Sequence, residues 1–414
     1  MYCTRQIAPQ IFWVGGNDRR LALFENMFPL PNGVAYNSYL IMDEKVALMD
    51  TVDSSITRQF FENIEHVLGG RSIDYLVVNH MEPDHCASIE ELCRRFPGMK
   101  IVGNQKTFQM IRQFYAFDIE NRILKVQETE ALELGTHRLR FFFTPMVHWP
   151  EVMFTYEEHE GILFTADAFG SFGALPGNLF SDELDFEGAF LEEARRYYTN
   201  IVGKYGAQVQ AALKKVSGVE IRMLCPLHGP VWRKNLDYIL ARYALWSRYE
   251  PEKRGVLLAY ASMYGNTENA VAVIANRLAE KGVQDMRVYD VSKTHASYII
   301  ADAFKYSHHV LASPTYNAGL YFGMEALLRD MAALNLQRRK VALVGNGSWA
   351  PASHVVMQKL ISEMKSMELL APPFILHSSL KPAQEEELLA LADTVSESVL
   401  RPDNSTPPPP DADG

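Results

Sequence analysis

His80-Met81-Glu82-Pro83-Asp84-His85 gathers two imidazoles and two carboxylates into six residues, directly after the apolar run Tyr75 to Asn79. A β-run that ends in such a cluster commits the chain to a fold whose strand ends converge on a site. Alternate side chains of a strand-to-helix turn aim at one point, while Pro83 stiffens the backbone between them. Capping a helix that begins near Ala87 requires only one residue of this type, such as Asp84. At position 82 a hydrolytic zinc site of this layout would carry a third imidazole. The carboxylate there favours a harder, oxygen-loving metal, and iron is the expectation.

Three further donors stand past the ends of predicted strands. His148 follows Leu139 to Phe143, Asp167 follows Ile162 to Ala166, and His228 follows Met223-Leu224 in Cys225-Pro226-Leu227-His228-Gly229-Pro230. Any one of them alone reads as a turn or surface residue. Added to the cluster in this order, they are expected to complete a metal site. His66, His137, His159 and His295 read instead as solvent-exposed, and Cys86 as a small packed residue.

At 414 residues the chain is too long for one typical core, so two domains are expected. No apolar run approaches the ~20 residues that span a bilayer. The N-terminus lacks the basic start and apolar core of a secretory signal, which makes the cytoplasm the expected location. Cys3, Cys86, Cys93 and Cys225 form no C-x-x-C pair. That argues against a disulfide framework or a zinc-ribbon or rubredoxin module, and suits a reducing compartment. A net charge of -10 disfavours a nucleic-acid surface.

A proline among charges, Tyr249-Glu250-Pro251-Glu252-Lys253-Arg254-Gly255, marks the joint. Before it, short β-runs mixed with helical stretches such as Ser54 to Leu68 read as an α/β sandwich over residues 1–249. After it, Val256 to Ala261, Met286 to Val291, His309 to Ala312, Lys340 to Val344 and Phe374 to His377 alternate with helical patterns. This predicts a doubly wound, five-stranded parallel sheet over residues 254–400. Residues 401–414, with four consecutive prolines, read as a disordered tail.

The loop Ser262-Met263-Tyr264-Gly265-Asn266-Thr267 follows the first of those strands and opens a helix. Its hydroxyls and amides, with the free N–H groups of the helix start, suit a phosphate monoester without any Lys or Arg. It matches neither a P-loop nor a dinucleotide fingerprint. Ser313-Pro314-Thr315-Tyr316-Asn317-Ala318-Gly319 ends the third strand, and Gly345-Asn346-Gly347-Ser348-Trp349 the fourth. In a doubly wound sheet both lie beside the first loop at the carboxyl edge, where a flavin mononucleotide (FMN) would sit.

These motifs carry a resemblance. Residues 1–249 resemble the metallo-β-lactamase superfold, with Asp50-Thr51 similar to its early bracing aspartate. Glu82 stands where the hydrolases of that superfold carry a histidine, and matches its oxygen-reducing branch, the flavodiiron proteins. Residues 254–400 resemble flavodoxin. There Ser262, Tyr264, Asn266 and Thr267 would donate to phosphate while Met263 and Gly265 shape the turn. Backbone groups around Thr315 to Asn317, with Pro314 and Gly319 on the same loop, and the loop Gly345 to Ser348 would meet the ring, with Trp349 stacking on it.

The resemblance implies a two-domain flavodiiron protein. His80, Glu82 and His148 would hold one iron, Asp84, His85 and His228 the other, and Asp167 would bridge them. FMN would feed electrons to this di-iron centre for reduction of dioxygen to water or of nitric oxide to nitrous oxide. Tyr197 or its neighbour Tyr198 resembles a tyrosine the family keeps near the substrate. An external donor such as a rubredoxin, a flavin reductase or a reduced deazaflavin would be required, with no rubredoxin or reductase module expected in the chain. The expected assembly is a head-to-tail homodimer or tetramer, with no nucleic acid or membrane partner. The alternative is a zinc hydrolase fused to a flavodoxin-like electron-transfer module.

Overall fold

Tyr39–Met42 (β3) and Val46–Met49 (β4) pair antiparallel across a tight turn, Tyr39 opposite Met49 and Met42 opposite Val46. They sit inside a sheet built with Arg5–Ala8 (β1), Ile11–Trp13 (β2), Tyr75–Val77 (β5), Lys100–Gly103 (β6) and Ile123–Lys125 (β7), in the order β1-β2-β3-β4-β5-β6-β7. A second sheet joins Ala131–Glu133 (β8), Arg138–Phe143 (β9), Met153–Glu157 (β10), Ile162–Phe164 (β11) and Met223–Cys225 (β12) in chain order. Both inner strands, β4 and β10, are buried along their whole length, as strands covered on both faces must be. Thr57–Leu68 (α1) packs on β3, and Gly206–Val216 (α2) on β9, so each sheet has a helix against it. This is the expected αββα sandwich. The sequence reading did not assign β1, β2, β7 and β8, whose three or four residues are too few to display a period.

The structure is a computed structural model and describes residues 2–401, so all but the first residue of the tail expected over 401–414 lies outside the described residues. The chain divides into two compact units, Met1–Arg248 and Tyr249–Gly414. Tyr249, read from the sequence with the first domain, falls in the second. There its carbonyl accepts from Arg339 Nη1 at 2.7 Å and its hydroxyl from Asn335 Nδ2 at 2.9 Å. Arg339 is fully buried and also donates to the carbonyls of Ala303 (2.9 Å) and Phe304 (2.7 Å).

The second unit holds Lys253–Tyr260 (β13), Met286–Asp290 (β14), Tyr306–Tyr316 (β15), Lys340–Asn346 (β16) and Phe374–Leu376 (β17), all parallel. The order β14-β13-β15-β16-β17 reverses direction beside β13, which makes the doubly wound sheet. Alternation along β13 sends Val256, Leu258 and Tyr260 to one face, where Asn266–Glu280 (α3) and Pro382–Leu400 (α4) supply Ile274, Leu278, Leu388 and Val395. Leu257 and Ala259 go to the other face, under Ile299, Leu327 and Met357. Two short strands were not anticipated: Gly319–Leu320 on β15 and Glu368–Leu369 on β16.

Candidate metal centre and nucleotide cleft

Every one of the seven expected metal ligands lies just past a strand of the first unit, and all seven are buried. Two groups form. His80, Glu82, His148 and Asp167 bring one donor atom each within 4.8 Å of one another, and so do Asp84, His85 and His228. Asp167 serves both. Its Oδ2 lies 3.2 Å from His80 Nε2 and 3.1 Å from His148 Nε2, while its Oδ1 lies 3.2 Å from His85 Nε2 and 3.7 Å from His228 Nε2. Glu82 Oε2 closes the first group at 3.2 Å from His80 and 3.1 Å from His148. Asp84 Oδ2 closes the second at 3.3 Å from both His85 and His228.

The donor set fits metal ions better than hydrogen bonds. Both carboxylate oxygens of Asp84 and of Asp167 are buried without a hydrogen-bond partner, an arrangement that would cost several kcal/mol left empty. His85 Nε2 and His228 Nε2 stand 2.9 Å apart, two lone-pair nitrogens facing one point. Ligands at ~2.1 Å from a common ion, separated by ~90–110°, lie about 3.0–3.4 Å apart, which is the spacing found here.

The charge balance says the same. Burial works against an ionised Asp167, yet the surrounding imidazoles hold its pKa well below the usual range. Burial likewise opposes Glu82, but hydrogen bonds from His148 and His80 hold it low. His148 is pushed up to about 9, burial being outweighed by Asp167 and Glu82. The site therefore demands positive charge. Without metal, the raised pKa values of His80, His85 and His148 let these imidazoles take protons, which metal binding must release.

Local structure fixes each ligand. Asp50, just past β4 at φ +54°, accepts from the backbone N–H of Asn79 (2.7 Å) and His80 (3.1 Å) and from Asn79 Nδ2 (2.7 Å). It braces the first ligand loop and is not itself in either group. Thr51 holds the carbonyl of His85 through its N–H (2.8 Å) and hydroxyl (2.9 Å). The Asp167 loop is closed by Phe169 N–H donating to Tyr243 Oη at 2.5 Å. His228 Nδ1 donates to the Ala35 carbonyl at 2.9 Å. Gly229 follows at φ +71°, where a Cβ would meet Ser171 Oγ at 2.2 Å.

Tyr197 is fully buried beside the site, its ring 5.3 Å from that of His228 and its hydroxyl without a hydrogen-bond partner. Burial, with Asp167, Glu82 and Asp84 nearby, lifts its pKa far above the usual value, so it stays a donor. Tyr198 turns the other way, onto Tyr243 and Trp246. Of the two, Tyr197 is the one at the site.

Two acidic neighbours escaped the sequence reading. Glu151 contacts His80 from behind. Glu25, on the turn between Leu23–Phe24 and Phe28–Pro29, is exposed as a residue, but its carboxyl meets Glu82; burial of that end and the adjacent carboxylate lift its pKa to about 9. A carboxylate in a loop has no signature when its partner is distant in sequence. His137 is a correction. Expected at the surface, it is buried, with Nδ1 3.0 Å from Glu157 Oε1. His66, His159 and His295 are exposed, and Cys86 is buried with Sγ 3.2 Å from the Met81 carbonyl.

In the second unit a cleft of ≈ 440 Å³ opens at the carboxyl edge of the sheet, within the usual range for ligand pockets. Of the expected contacts, Ser262, Met263, Tyr264, Asn266, Thr267, Pro314, Thr315, Tyr316, Asn317, Asn346, Gly347, Ser348 and Trp349 line it. Gly265, Gly319 and Gly345 do not. Gly265 caps α3 at φ +86°, Gly319 pairs with Tyr316, and Gly345 packs where a Cβ would meet His354 at 2.8 Å. Ala318, Ala350 and Ser378 line it unanticipated; Ser378 follows β17 and so obeys the same edge rule. Ser262 Oγ accepts from the N–H of Gly265 (3.1 Å) and Glu268 (3.3 Å), folding the loop over the start of α3. Trp349 is 92% exposed at the rim, with Tyr264 at 91%. Among the described residues no charged side chain lines the cleft, so an anion there would rest on hydroxyls, amides and the helix start.

Residues 34–229 match the model of the ODP family beta lactamase. The chain is 32% identical over 352 residues to an anaerobic nitric oxide reductase flavorubredoxin of Aliivibrio salmonicida, covering 84% of this chain and 70% of that protein. It is 28% identical to a nitric oxide reductase of Moorella thermoacetica, over 89% of this chain and 91% of that one. Among solved structures it superposes on rubredoxin oxygen:oxidoreductase of Desulfovibrio gigas with a TM-score of 0.90 at 26% identity, covering 96% and 98% of the two chains. A flavodiiron protein of Giardia intestinalis shares the fold, with a TM-score of 0.84 at 23% identity over 96% and 98%.

Proposed function

This chain belongs to the flavodiiron protein family, and from that membership we propose an oxidoreductase that reduces dioxygen to water, nitric oxide to nitrous oxide, or both. The observation that carries the reading is the pair of buried donor groups sharing Asp167, whose carboxylate oxygens find no hydrogen bond. When bound, two irons and FMN supply the redox chemistry and the open positions for a diatomic gas.

The residues of the chain do the rest. His80, Glu82 and His148 would hold one iron and Asp84, His85 and His228 the other, with Asp167 facing both groups. Three carboxylates offset much of the charge of two divalent ions, which suits iron in its higher oxidation state. Tyr197 stays protonated beside the site, where its unpartnered hydroxyl would donate a hydrogen bond to bound gas. Ser262, Asn266, Thr267 and the first N–H groups of α3 receive the FMN phosphate, while Tyr264, Tyr316 and Trp349 flank the ring. The zinc-hydrolase alternative finds no support in these relatives, and Glu82 disfavours it.

Electrons come from an external donor such as a rubredoxin, a flavin reductase or a reduced deazaflavin. Tyr264 and Trp349, nearly bare at the rim, support a head-to-tail homodimer or tetramer in which a second copy covers the cleft. Sedimentation equilibrium is expected to give two or four chains per particle, and a fully active monomer would sink this. Among the described residues no helix is long and apolar enough to cross a membrane. A cytoplasmic location accords with four free cysteines.

The deciding experiment reconstitutes the full chain with FMN and Fe(II) without air, then measures metal, flavin, and consumption of dioxygen and of nitric oxide side by side. Two irons and one FMN per chain with turnover of either gas are expected. A zinc-loaded protein inert toward both gases would overturn the reading. Tyr197→Phe is expected to keep both irons and lose about a hundredfold in kcat, the low end for a positioned proton donor.

A further inference from the structure

Glu151 is fully buried, and its Oε1 accepts twice, from His80 Nδ1 at 2.9 Å and from the Met81 backbone N–H at 2.8 Å. Its own carbonyl accepts from Asn104 Nδ2 at 2.5 Å, and Asn104 caps the helix Gln105–Phe114. Glu151 stands three positions after His148, so one residue ties the loop carrying His80 and Glu82 to the loop carrying His148 and fastens both to a helix. These are the donors of the first metal group.

The second group has no such backing. His228 Nδ1 rests on the neutral carbonyl of Ala35, and His85 Nδ1 is buried with no hydrogen-bond partner. Among the described residues, His80 alone of the four site imidazoles meets a carboxylate through its outer nitrogen. A carboxylate behind an imidazole fixes the tautomer with the inner lone pair free, holds the ring's orientation and raises its basicity. A carbonyl does the first two and less of the third.

We propose that Glu151 is a positioning residue that makes the His80, Glu82 and His148 group the tighter of two unequal metal sites. This rests on the di-iron reading. The metal at the Asp84, His85 and His228 group leaves first when metal is scarce and enters last on loading. Partners of this kind change metal affinity by ~10–100-fold, which sets the separation expected between the two sites.

The test uses the full, FMN-loaded chain stripped of metal with a chelator, then titrated without air with Fe(II), and separately with Co(II), whose absorption reports each filled site. Wild type is expected to fill in two steps about 10–100-fold apart. Glu151→Gln is expected to weaken the tighter step by about that factor and merge the two, with Glu151→Asp recovering part of the gap. In half-loaded protein, His228→Ala should leave the remaining ion bound and His148→Ala should release it. Should the Gln variant fail to fold, the wild-type step separation and this histidine pair decide alone. Equal steps in wild type, unchanged affinities in folded Glu151→Gln, or retention in the reverse histidine order would each overturn the proposal. A wild-type chain that takes up neither Fe(II) nor Co(II) would instead remove the di-iron reading.

Discussion

Asp167→Asn is expected to leave a folded chain that keeps its flavin, holds at most one iron, and turns over either gas roughly 10³-fold more slowly, since residues acting as a unit fail together. Each oxygen of Asp167 faces a different donor group, Oδ2 toward His80 and His148 and Oδ1 toward His85 and His228. An amide keeps the volume but turns one oxygen into an NH₂ that cannot ligate, and removes the charge that two ions would share. The neighbouring imidazoles currently hold the Asp167 carboxyl well below its usual pKa despite burial, so its loss also weakens the pull on cations at both groups. Iron per chain and gas-electrode rates check this. Two irons retained with near wild-type turnover would show that Asp167 is no bridge.

Asn266→Asp is expected to cut FMN affinity by ~10²–10³-fold while leaving both irons in place. Among the described residues no lysine or arginine lines the cleft, so no cationic side chain there offsets an added carboxylate. Two like charges ~5 Å apart repel by about 3 kcal/mol at an effective dielectric of ~20; the open cleft lowers this and the phosphate dianion raises it again. Asn266→Ala, which loses only a hydrogen bond, should cost about tenfold. Quenching of FMN fluorescence reads both. An aspartate variant that binds like wild type would mean that the phosphate does not rest at the start of α3.

The seven ligands were legible because each follows an apolar run, and the end of a strand is a place sequence can locate. Glu82 was legible by contrast with the histidine expected there. The cleft followed from the same rule applied to a parallel sheet, where loops at one edge must meet. What escaped was whatever depends on partners remote in the chain. Glu151 matters only because Tyr75–Val77 delivers His80 to it, and Glu25 only because a small hairpin folds back on Glu82. His137 looked like a loop residue until Glu157, 20 positions on, took it into the interior. The glycines divided for a related reason. A loop motif names Gly265, Gly319 and Gly345 as readily as Gly347, but only the packing around each tells which one faces the ligand.

Arg339 bears on how the chain can be taken apart. Its guanidinium, which cannot shed its proton to escape burial, is met by backbone carbonyls from three stretches of the second unit, and one of them belongs to Tyr249. The sequence boundary at 254 would sever that acceptor and remove one of the carbonyls that compensate the buried cation. The seam for dissection, for grafting the flavin unit onto another protein, or for inserting a spacer therefore runs ahead of Tyr249, although the proline at 251 advertises a later one.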